Sequence, residues 1–191
     1  MPKVRNSVIG DVMGESKSGA LFSECRNYRW ALWRQWNPSL ATCVFIGLNP
    51  STADETEDDP TIRRCIGFAK SWGLGKLVML NAYGFSATQP KDMKAAGEPV
   101  GEHNDAMIGA VARAAVDSGG IVIAAWGSHC EEQRQVAVCE AVNREIRCLG
   151  TTKYGRPKHP LYLRADTKPE PFFDPNYKYM YSKEDRELMG L

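Results

Sequence analysis

The sequence is short of everything that a metal centre, a disulfide scaffold or a membrane span requires. It holds three histidines, and its six cysteines, at 25, 43, 65, 130, 139 and 148, form no C-x-x-C pair and show no metal-ligand spacing. No metal and no cofactor are therefore expected, and the cysteines read as reduced thiols, Cys43 and Cys65 packing as small hydrophobes in apolar segments. Long hydrophobic runs are missing as well: nothing approaches the roughly 20 apolar residues of a transmembrane helix. The first residues carry no apolar core followed by a small-residue cleavage site. These absences predict a cytoplasmic protein without a membrane partner, in the host cytoplasm if the chain is phage-encoded. Charge of one sign is also lacking, since 24 basic residues face 23 acidic ones for a net charge of +1. Any nucleic-acid contact must then come from local patches rather than overall attraction. No internal repeat and no low-complexity tract is present.

What is present suits one domain, because 191 residues with 43% hydrophobic content bury a single core well. Residues 1–24 carry Gly14, Gly19 and unpatterned polar residues, which predicts a loose N-terminal arm with at most one short edge strand. In NYRWALWRQWN, residues 27–37, Tyr28, Trp30, Leu32 and Arg34 alternate with Arg29, Ala31 and Trp33, as in a strand with one buried face. ATCVFIGL (41–48), KLVMLNAY (76–83) and GIVIAAWG (120–127) are continuous apolar runs that read as buried central strands. Helical spacing fills the intervals at 60–73, 102–119 and 131–146, followed by the short segment IRCLG. The order β-α-β-α-β-α-β predicts an α/β fold, a three-layer α/β/α sandwich around a mostly parallel sheet, spanning residues 25–165. Residues 166–191, around PEPFFDPNYKYMY, read as an irregular tail that packs on the domain.

Ligands in such sheets sit beyond the carboxyl ends of the strands, and that is where unusual polar groups collect. They are GLNPS at 47–51, LNAY at 80–83, WGSH at 126–129 and, after the last short strand, KHPLYL at 158–163. Singly, each has an ordinary explanation: an asparagine after a strand is usually a turn or cap residue. Trp126-Gly127 reads as core packing plus a tight turn, His129 as a helix-start residue and His103 as solvent-facing. In order, the four groups resemble the motifs of the uracil-DNA glycosylase superfamily over about residues 40–165. The chain also resembles, over nearly its whole length, a family of short bacterial and phage proteins without an assigned activity. The first resemblance implies a uracil-DNA-glycosylase-like sandwich that binds a base extruded from DNA. Asn81 would then read the base edge, since an amide offers both an acceptor and donors to uracil or thymine. His159 would donate to the pyrimidine O2, Phe68 or Tyr83 would cover the ring, and Arg156 and Lys158 would contact the DNA backbone.

Asn49 stands where strong glycosylases of that superfamily carry aspartate, and an amide cannot act as a base. The following segment STADETEDDPTIRRC either forms a charged helix entrance or builds an anion site from Ser51, Thr52, Arg63 and Arg64 at a helix start. Asp54 would in that case position or deprotonate an incoming nucleophile. Three functions follow as expectations. The first is a DNA base-modifying transferase, in which a small amino acid such as glycine, or an amine, displaces pyrophosphate from 5-pyrophosphoryloxymethyl-uracil in phage DNA with hypermodified thymidine. The second is a pyrimidine DNA N-glycosylase. The third is a non-catalytic reader of DNA containing a modified pyrimidine.

Overall fold

The computed structural model describes residues 6–172, and its centre is a seven-stranded sheet. The strands are β1 (Ser18–Phe22), β2 (Arg29–Gln35), β3 (Thr42–Gly47), β4 (Lys76–Asn81), β5 (Ile121–Ala124), β6 (Arg147–Cys148) and β7 (Glu170–Pro171). Five helices join them: α1 (Asn6–Met13), α2 (Pro60–Ser71), α3 (Pro90–Ala95), α4 (Asn104–Asp117) and α5 (Glu132–Val142). The spatial order is β1-β2-β4-β3-β5-β6-β7.

The three apolar runs become adjacent strands because each has both faces to bury. Val44, Ile46, Val78, Leu80, Val122 and Ala124 enter a core with α1, α4 and α5. The alternate residues Cys43, Phe45, Leu77, Met79 and Ile123 enter a second core with Ile62, Cys65, Phe68 and Ala69 of α2. Helices therefore cover both faces, as continuous apolar strands require. The sheet is mixed rather than mostly parallel. The pairs β4–β3, β3–β5 and β5–β6 are parallel, whereas β1–β2, β2–β4 and β6–β7 are antiparallel. A short connection such as that from Phe22 to Arg29 can join only antiparallel neighbours, so the strands added outside the crossover units reverse direction.

Two further expectations are corrected. The described part of the expected N-terminal arm, from residue 6 on, is part of the fold: α1 lies against α4, and Val12 is fully buried with Val8, Ile9 and Met13 beside it. The one-sided spacing of those four residues was a helical signal obscured by Gly10 inside the segment and Gly14 just after it. Strand β2 has two buried faces rather than one, since Ala31 and Trp33 join the first core and Leu32 the second. At the other end, β7 pairs with β6 and Phe172 is buried edge-on to Trp126, so the chain is integrated up to residue 172. The remainder of the expected tail, 173–191, lies outside the described residues. No helix among the described residues is long and apolar enough to cross a membrane.

The cysteines give a simple check of this packing. Cys43, Cys65, Cys130, Cys139 and Cys148 are buried, and Cys25 is exposed. The Ser23 hydroxyl, 3.3 Å from the Cys25 sulfur, holds that thiol below its ordinary pKa, while burial pushes the Cys65 thiol up. A short iodoacetamide pulse at neutral pH should therefore label the native protein once, at Cys25, and all six cysteines after unfolding, as read by intact mass.

Candidate functional site

Strand β3 continues into α2 on one face of the sheet, and its neighbour β5 continues into α5 on the other. Adjacent strands whose connections part in this way leave a crevice at their carboxyl ends. A pocket of about 730 Å³ occupies it, within the range of small-molecule sites.

Asn81 forms part of the pocket wall as the last residue of β4. It is 2% exposed, and its Nδ2 has no hydrogen-bond partner among the described residues. A buried donor left unpaired costs about 1–3 kcal/mol. Its backbone, by contrast, is clamped. Asn104 of α4 donates from Nδ2 to the carbonyls of Asn81 at 2.9 Å and Ala82 at 3.1 Å. Arg134 of α5 donates from Nε to the same Ala82 carbonyl and forks onto the Asp105 carboxylate. The unpaired amide is thus held by two helices at the end of a central strand. Gly47 leaves it room: Gly47 and Asn81 are partners across β3–β4, and a Cβ at 47 would lie 3.0 Å from Asn81 Oδ1. Gly47→Ala should displace the amide by a few tenths of an ångström and weaken ligand binding roughly 10-fold with the melting temperature nearly unchanged, a split that titration and thermal melting read directly.

Asn49 follows β3 and lines the same pocket, with its amide committed. Nδ2 donates to the carbonyls of Pro50 at 2.9 Å and Ala87 at 2.7 Å, and Oδ1 is the atom left to accept from a ligand or water. That oxygen can accept from a water or a ligand N–H but cannot remove a proton.

His159 faces this pair from the loop after β6, at the start of the short 3-10 turn Pro160–Tyr162. Its Nδ1 accepts from the Leu161 backbone N–H at 3.3 Å, so the neutral ring carries its proton on Nε2. Burial lowers its pKa, with Asp59 opposing, and the imidazole is a neutral donor at pH 7. The sign of the linkage follows. A histidine whose folded pKa lies below its unfolded value contributes stability above about pH 6.5 that is lost as the pH falls through the folded value. Urea unfolding of the parent should show this loss between pH 7 and pH 5, and His159→Gln should lose less over the same range.

Two further pocket residues carry charge. Asp59 caps α2, its Oδ1 accepting from Ile62 N–H at 2.8 Å, and Pro60 at the first helical position has no N–H to offer. Arg29 at the start of β2 is 2% exposed, donates from Nη1 to the Ala53 carbonyl at 2.5 Å and has no partner at Nε. Burial lowers its pKa to about 10, an effect reinforced by Arg34 and opposed by Asp59 and Asp54. Sequence reading treats Arg29 only as one member of a strand alternation. Its place between Tyr28 and Trp30 in a strand hints at burial but carries no sign of whether the charge is paired.

The sequence-predicted residues thus divide. Asn49, Ser51, Asn81, Lys158 and His159 come together around the pocket, with Ser51 and Lys158 exposed at its edge. The others do not. Asp54 turns back on its own loop, where Oδ1 accepts from the N–H groups of Thr56 and Glu57, both at 2.8 Å; those bonds lower its pKa. Thr52 is exposed and outside the pocket lining. Arg63 and Arg64 donate to the carbonyls of Asp58 and Leu163, Asp59 caps α2, and neither arginine lines the pocket. Phe68 belongs to the core, 2% exposed and stacked on Trp72 at 5.5 Å, because it lies on the sheet-facing side of α2. Tyr83 is buried in the opposite core, its hydroxyl accepting from Glu131 N–H at 3.4 Å. Arg156 donates to Gln135 Oε1 at 3.2 Å, the oxygen that also receives Trp126 Nε1. Trp126 is buried in the core and also lines the pocket, as does the exposed His129, whereas the exposed His103 does not.

A family model described as "Protein of unknown function (DUF1643)" matches residues 29–161, from β2 through the His159 loop. No curated protein and no solved structure matches the chain.

Proposed function

The chain belongs to the DUF1643 family, and from its pocket we propose that it binds a uracil- or thymine-type pyrimidine extruded from DNA and substitutes at the 5-methylene carbon of that base. The observation that carries this reading is the Asn81 amide, buried, unpaired at Nδ2 and held in the wall of a pocket at the sheet's switch point. An amide in that state gains most from a ligand with complementary donor and acceptor edges, and a pyrimidine of the uracil type has them. The neutral His159 Nε2–H supplies a donor for a ring oxygen, and the Asn49 oxygen supplies an acceptor. Around the mouth, Lys158 and Tyr162 are exposed, Tyr162 at 84%, a cation and an aromatic face that suit a nucleic acid.

The pocket has room for a base with a charged substituent, and Asn49 in place of a carboxylate disfavours activation of water. The reaction that fits best is displacement by a small amine or amino acid. The amine nitrogen bonds to the 5-methylene carbon and the carbon–oxygen bond to pyrophosphate breaks. The leaving oxygen keeps the electron pair, and the amine gives its proton to water. The uracil-DNA glycosylase likeness of the four motifs supports the base-extrusion part of this reading and belongs to the proposal with it. The free Asn49 oxygen favours one second reading, N-glycosidic cleavage by a positioned water.

One assay separates these readings. Duplexes carrying thymine, uracil, 5-hydroxymethyluracil or its pyrophosphate ester are incubated with the protein, with and without glycine, and the nucleosides are analysed by mass. An amino-acid adduct supports substitution, free base supports cleavage, and tight binding without product supports a reader. Absence of both binding and product with every duplex would overturn the pyrimidine reading.

A further inference from the structure

Arg29 is a buried cation that the rest of the fold leaves incompletely satisfied. Among the described residues its guanidinium makes one hydrogen bond, to a neutral carbonyl, that of Ala53, and Nε is unpaired. None of the ion pairs among the described residues includes it, whereas Arg34, on the same strand, has Asp58 at 2.9 Å. Removing a guanidinium from water without an anion costs far more than one carbonyl bond returns, so such a group is retained where an anion arrives. Arg29 lies in the lining of the pocket together with Asn81, and both are 2% exposed with an unpaired side-chain nitrogen. At the start of α2, by contrast, the Asp59 carboxylate already accepts from Ile62 N–H, and Pro60 has no N–H to offer.

We propose that Arg29 forms an anion-binding subsite of this pocket and takes a phosphate or pyrophosphate group of the substrate. A guanidinium offers a planar fork of donors that matches phosphate oxygens, and the burial of Arg29 leaves its charge weakly screened. The proposal rests on the pyrimidine reading only for which phosphate it is: a pyrophosphate leaving group on the base, or the backbone diester of the extruded nucleotide. Asp59, also in the pocket, limits the site to an anion that reaches the guanidinium directly.

Calorimetric titration of the full chain with inorganic pyrophosphate, inorganic phosphate and an unmodified thymidine oligonucleotide tests this. Arg29→Gln should weaken phosphate-group binding by about 10- to 100-fold, and Arg63→Ala with Arg64→Ala should not. Because Arg29 also anchors the Ala53 carbonyl, Arg34→Gln is the control: it loosens the same loop at Asp54 and Asp58 and should leave anion affinity unchanged. Arg29 dependence with pyrophosphate alone identifies the leaving group as the source, and equal dependence with the oligonucleotide identifies the backbone. Equal anion affinity in the parent and Arg29→Gln, an equal loss in Arg34→Gln, or no anion binding by the parent would overturn the subsite. Pyrophosphate bound through Arg29 by a protein that ignores every pyrimidine duplex would keep this subsite and remove the pyrimidine reading. Duplex binding without any Arg29 effect would do the reverse.

Discussion

Asn81→Ala is expected to reduce turnover of a pyrimidine substrate by about 100-fold or more while leaving the protein as stable as the parent or more so. The two effects have one cause. Its Nδ2 is buried without a partner, so the native fold carries the penalty of an unmade hydrogen bond, about 1–3 kcal/mol. Alanine removes that penalty, and because the site opens into the pocket it leaves no sealed cavity behind. A residue kept for the core behaves the opposite way. The backbone clamps from Asn104 and Arg134 do not involve the Asn81 side chain, so the strand end stays in place in the variant. Steady-state kinetics and thermal melting on the same preparation check both halves. A lower melting temperature with unchanged turnover would make Asn81 a structural residue.

Phe68→Ala should destabilise the protein by about 3–5 kcal/mol, the largest stability effect predicted, and lower its melting temperature by about 6–20 °C. Phe68 is a layer in an aromatic stack: Trp72 lies 5.5 Å from it and 6.0 Å from Phe45 of β3, with interplanar angles of 18°. The Arg64 guanidinium closes the stack 4.8 Å from the Phe68 ring. Truncation opens a cavity between α2 and the sheet and removes the support of Arg64, which holds the Leu163 carbonyl beyond the His159 turn. Substrate affinity at temperatures where the variant is folded should fall little. Were Phe68 the platform for an extruded base, affinity would fall first and the melting temperature hardly at all. Denaturant unfolding and ligand titration distinguish the two.

Periodicity alone determines most of the scaffold. The apolar runs at 41–48, 76–83 and 120–127 could be nothing but strands buried on both faces, and the helical intervals between them force parallel crossovers. From there the polar groups at the strand ends had to meet, which is why Asn49, Asn81 and His159 were legible as neighbours. Only the tertiary structure decided the direction each side chain faces. Phe68 lies next to exposed Gly67 and one turn after half-buried Arg64 in sequence, yet the sheet claims it. Asp54 and the Arg63–Arg64 pair were plausible ligands in sequence, but the fold turns Asp54 Oδ1 onto its own loop and the two guanidiniums toward the Asp58 and Leu163 carbonyls, outside the pocket lining. Arg29 is the converse case. Nothing in a strand alternation marks one arginine as unpaired, because whether a buried charge has a partner depends on loops 20 or more residues away, and only their folding places Ala53 beside it and no carboxylate on it.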